Sequence, residues 1–80
     1  MENLHYDSHE KKLVCNTNPE FTQYEFCVKP ANNGDWNCLV TSTNERDVSF
    51  LSVDTYVAKG RGNKSSGWGV YCDEIEFIVR

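Results

Sequence analysis

The chain has 80 residues, with eight Lys or Arg against twelve Asp or Glu and a net charge of −4, which suits one small domain. That balance argues against a dedicated duplex DNA or RNA binder, which neutralises phosphates with clustered cations, and permits a basic or neutral protein partner. No run approaches the roughly eighteen apolar residues of a spanning helix, and Met1-Glu-Asn-Leu-His-Tyr-Asp has no basic start or apolar stretch, so a cytoplasmic protein without membrane contact is expected.

Ten aromatic residues, and eight valines against two alanines, favour strands over helices. Residues 1–11 are polar and read as a frayed segment or at most one helical turn, Asp7 and Glu10 giving a faint helix-start signal. Leu13–Thr17 reads as the first strand, and Asn18-Pro-Glu-Phe21 as a turn. In Gln23–Lys29, Tyr24, Phe26 and Val28 alternate with Gln23, Glu25, Cys27 and Lys29, the cleanest period of two in the chain. Pro30–Asp35 is a turn with Asn-Gly at its centre, and Trp36–Ser42 a strand with Trp36, Cys38 and Val40 on one face.

Asn44–Gly60 admits two readings. Asn44 suits a helix cap and Lys59-Gly60 a helix end. Yet its apolar residues wrap the helical wheel without forming a stripe, so a strand with a bulge near Phe50-Leu51 is preferred. The last third then becomes a long β-hairpin: Val48–Lys59 and Trp68–Val79 joined by a mobile, basic tip, Gly60-Arg-Gly-Asn-Lys-Ser-Ser-Gly67. Val70 and Cys72 share one parity and Ile75, Phe77 and Val79 the other, which predicts a second bulge. The expected fold class is mainly β: a single antiparallel sheet or partly closed barrel of about five strands, with α+β and one short helix as the alternative.

Cys15, Cys27, Cys38 and Cys72 fall one per predicted strand, with no Cys-x-x-Cys pair of a structural zinc site. Buried reduced thiols are the first reading, disulfides between neighbouring strands the second, and metal ligation by these four residues the third. His5 and His9, four apart, lie in a weakly helical segment.

No catalytic grouping stands out. The Gly60–Gly67 loop departs from the phosphate-binding loop, because Asn63 precedes Lys64 and the glycine spacing is wrong. Six scattered serines include no nucleophile elbow. Glu74 and Glu76 alternate with Ile75 and Phe77 and read as a charged edge that deters strand pairing. Asn63-Lys-Ser65 matches a glycosylation acceptor, which without a secretory signal is read as chance. Neither an enzyme nor a cofactor is expected. Trp36, Tyr56, Arg61, Lys64 and Trp68 are the expected contact residues, because aromatics and Arg dominate interface energetics. An unpaired edge strand, which the sequence does not locate, would permit a homodimer.

Two segments resemble known families. Thr17-Asn-Pro-Glu-Phe-Thr-Gln-Tyr-Glu-Phe-Cys-Val28, with Gly34-Asp-Trp36, is similar to the early hairpin of small type I-F anti-CRISPR proteins. It covers under a fifth of the chain, and the helical middle of that family has no counterpart here. The resemblance implies a phage or mobile-element inhibitor or accessory protein that occludes a surface of a host protein or nucleoprotein complex. Gly67-Trp-Gly-Val-Tyr-Cys-Asp-Glu-Ile-Glu-Phe-Ile78 resembles the closing strand of single-stranded DNA-binding OB folds. That resemblance implies a single-stranded nucleic acid module, with Trp36, Trp68, Tyr56 and Arg61 as stacking and phosphate contacts. A cysteine-based metal or redox domain is the third possibility.

Overall fold

A computed structural model describes residues 1–80. Eight strands form two antiparallel sheets: β1 (His5–Asp7), β2 (Lys12–Val14), β3 (Gln23–Pro30), β4 (Asn37–Thr41), β5 (Glu45–Asp47), β6 (Asp54–Lys64), β7 (Gly67–Trp68) and β8 (Ile75–Val79). The small sheet has the order β1-β2-β5. In the large sheet β4, β3 and β6 are neighbours, and both β7 and β8 pair with β6. The mainly β expectation holds, and there is no helix. It follows that no helix is long and apolar enough to cross a membrane.

The core lies where the two sheets face each other. Tyr24, Phe26 and Val28 of β3, Tyr56 and Ala58 of β6, and Phe77 and Val79 of β8 are buried with Leu4, Leu13, Cys15 and Val48. Tyr6 of β1 stacks on Phe77 at 4.5 Å between ring centroids, joining the first strand to the last. Arg46 of β5 is buried without a carboxylate and bridges the sheets. Its Nη1 donates to the carbonyls of Phe26 and Asn37 at 2.9 and 2.8 Å, and its Nη2 to Asn37 Oδ1 at 2.9 Å. Nε has no partner, and burial pulls the guanidinium below its ordinary value.

Several expectations need correction. Residues 1–11 are neither frayed nor helical: β1 begins at His5 and Leu4 is buried. Asp7 Oδ1 does accept the amides of His9 and Glu10, but those bonds close the β1–β2 turn instead of starting a helix. Gly60-Arg-Gly-Asn-Lys64 is not a mobile tip but the second half of β6, and the turn is only Ser65-Ser66. Glu45–Lys64 contains strands and no helix, as preferred, but not one strand with a bulge: β5 and β6 lie in different sheets, separated by the turn-containing segment Val48–Val53. The break between β7 and β8 is likewise wider, residues 69–74, held to β6 by Gly69 N–H to Gly62 O and Cys72 N–H to Gly60 O.

The glycines explain why the second half of β6 reads as a loop in the sequence. Ala58, Gly60 and Gly62 occupy successive inward positions, opposite Val28, Phe26 and Tyr24 of β3. A Cβ at Gly60 would lie 2.8 Å from the Glu25 carbonyl oxygen and run into the Met1 thioether; one at Gly62 would enter the Phe21 ring. The small residues are there because other side chains cover them.

Candidate interaction face

The inward alternation of β3 and β6 leaves a second set of residues on the outward face of the large sheet. These are Glu25, Cys27 and Lys29 on β3, and Val57, Lys59 and Arg61 on β6. Three rings arrive from elsewhere: Trp36 just before β4, Trp68 from β7 and Tyr71 from the irregular segment after it. Lys59 Nζ lies 4.4 Å from the Trp36 centroid and 4.3 Å from that of Tyr71. Arg61 Cζ lies 4.4 Å from Tyr71 and 4.9 Å from Trp68. Lys29 Nζ also approaches Trp36, at 5.4 Å from the ring centroid. The result is a strip in which cations and rings alternate: Lys29, Trp36, Lys59, Tyr71, Arg61, Trp68. Each contact is an attraction between a cation and a ring quadrupole.

Glu25 anchors the strip from below. One oxygen, Oε1, accepts from Arg61 Nε at 2.6 Å and from the Tyr71 hydroxyl at 2.7 Å. Burial by itself would raise the Glu25 carboxyl, but these two donors together hold it below the usual carboxylate range. The same bond to Glu25, with burial, raises the Tyr71 phenol. Arg61 and Tyr71 are thus both held by one carboxylate oxygen.

The expected contact residues divide. Trp36, Arg61 and Trp68 belong to the strip, and Trp68 remains 37% exposed. Lys64 stands at the end of β6, near Glu20 at 3.8 Å and over the Phe21 ring at 5.8 Å. There it borders a shallow depression of about 370 Å³ that Met1, Phe21 and Trp68 also line. Tyr56 is a correction: it is buried in the core, its hydroxyl donating to Ser52 O at 2.9 Å, because its inward parity faces Phe77. Lys29, Lys59 and Glu25 are not among the five expected contact residues, although the alternation of β3 and the clustering of Lys59 with Arg61 and Lys64 carry that signal. Tyr71 sits outside any regular strand, and the signal that marks it is its place among the aromatic residues flanking the cluster of Lys59, Arg61 and Lys64.

The cysteines also need correction. Cys27 and Cys38 are joined by a disulfide between neighbouring strands, the second of the sequence readings, instead of lying as separate thiols, the first. The cause is register: the two residues are directly opposite on β3 and β4, with Cα atoms 4.0 Å apart. Glu25 and these sulfurs lie within 4.8 Å of one another, but sulfurs joined to each other offer no thiolate to a metal. Cys15 is free and buried, and burial pushes its thiol up to about 11; Cys72 is free and half-buried. Neither His5 nor His9 joins a group of metal-ligating side chains.

Compared with protein-family models, curated proteins and solved structures, the chain matches none.

Proposed function

We propose that the protein is a non-enzymatic binding module that occludes a surface of a host protein or nucleoprotein complex, as an inhibitor or accessory protein of the phage or mobile-element kind. The outward strip of the large sheet is the covering surface. One observation carries this reading: an acidic chain gathers Lys29, Lys59 and Arg61 with Trp36, Tyr71 and Trp68 on one face. Rings and Arg make efficient interface anchors. The place of action proposed is the cytoplasm, where the disulfide, with Cys38 exposed, is open to reduction.

The test is affinity capture from host lysate with the natural chain and with Lys59→Glu/Trp68→Ser, after circular dichroism shows both folded. The natural chain should retain a stoichiometric partner that the variant loses. Equal retention by both would remove the strip from the account.

A single-stranded nucleic acid is the second reading, favoured by Arg61 beside the exposed Trp68 ring. It predicts that an oligonucleotide quenches tryptophan fluorescence, with affinity falling steeply as salt rises. A flat titration at low ionic strength would end that reading.

A further inference from the structure

Every sheet edge in this molecule but one is guarded. β1 carries Asp7, β5 carries Glu45 and Asp47, β8 carries Glu76, and β7 is only two residues long. Charge and brevity are the usual means of preventing one sheet from adding to another. β4, Asn37-Cys-Leu-Val-Thr41, is an edge strand with neither protection: it has no charged residue, and its first four residues are exposed. Leu39 and Val40 are 48% and 44% exposed.

The direction of its free backbone groups follows from the register. Directly opposite residues on antiparallel strands alternate between wide, hydrogen-bonded pairs and close, non-bonded ones. The 4.0 Å Cα separation of Cys27 and Cys38 identifies a close pair, so Cys38 points its N–H and C=O away from β3. Val40, opposite Glu25 and two residues on, does the same. None of the backbone bonds outside the ladders involves residues 37–41, and no side chain bonds the backbone of Cys38, Leu39 or Val40.

We propose that β4 pairs with β4 of a second copy of this chain, antiparallel and centred on Leu39. In that register Cys38 of one copy exchanges backbone hydrogen bonds with Val40 of the other, the two residues whose polar groups are free. Leu39 meets Leu39 across the two-fold axis, and Asn37 meets Thr41. No charge opposes a charge anywhere along the seam, so the edge is complementary to itself, as a two-fold interface requires. The axis stands perpendicular to the sheet, which sets the strips of both copies on the same face of one continuous sheet.

Sedimentation velocity, run from dilute to the highest attainable concentration, tests this. The natural chain should pass from monomer to dimer. Leu39→Lys and Leu39→Glu, at a half-exposed position that tolerates charge, should each stay monomeric with an unchanged circular dichroism spectrum. An equimolar mixture of the two should form a heterodimer, because this register sets the two new charges face to face. Leu39→Cys supplies a readout independent of charge: Cα atoms about 4.5 Å apart across the axis should close a disulfide-linked dimer that the natural chain does not form. A natural chain that remains monomeric throughout, or a dimer that persists in Leu39→Lys, would overturn the proposal. Neither outcome bears on the strip, whose residues these variants leave untouched.

Discussion

A side chain at Gly62 would have to occupy the space that the Phe21 ring fills, and one at Gly60 would press on the Glu25 carbonyl. Gly62→Ala should therefore destabilise the fold by about 1–3 kcal/mol, the usual cost of overpacking, read as a lower denaturant midpoint. If the residue were part of a mobile tip, the same change would cost nothing. Glu25 supports a second prediction. Its carboxyl is held low in the folded state, so it contributes stability above the ordinary carboxylate range and loses it as pH falls through its own lowered value. Tyr71→Phe removes one of its two donors and should cost about 1–2 kcal/mol near neutrality. The gap between the thermal midpoints of natural and variant chains should then close on acidification below the carboxylate range. A gap that stayed constant with pH would show that the hydroxyl does not act through Glu25.

At the scale of elements, β3 is the part most legible in the sequence, because one face is apolar and the other polar and a period of two records the difference directly. β6 was legible only to Lys59. Its inward positions from Ala58 onward are held by small residues, and a stripe of glycine beneath Phe21 and Met1 looks in sequence like a loop. Arg46 lies in Glu-Arg-Asp, which reads as a solvated run, and only the approach of β5 to the large sheet buries it. A disulfide between neighbouring strands was legible as an alternative, but the Cys27–Cys38 pairing was not, since it depends on which residues of β3 and β4 stand opposite. It closes a loop with a sequence separation of 11 residues, and its loss should cost about 2–3 kcal/mol. Unfolding curves with and without reductant measure this, and Cys27→Ala/Cys38→Ala should match the reduced natural chain. Coincident curves would mean the bridge contributes nothing.

For the molecule as a whole, the chain is acidic by composition but uneven in space, and the unevenness gives it a face. Net charge is a sum over residues and carries no information about which of them the sheet places together. The spacing of Lys59, Arg61 and Trp68 announced part of the strip. Lys29 and Trp36 joined it through the β3–β4 connection, and Tyr71 through a break in the last hairpin. Hydroxyl-radical footprinting of the captured complex against the free chain tests the central claim most directly. The account predicts that Trp36, Tyr71 and Trp68 lose reactivity in the complex while Phe50, exposed but packed on Arg46 and outside the strip, keeps it. Protection confined to Phe50 and its neighbours, with the three strip rings oxidised as in the free protein, would contradict it.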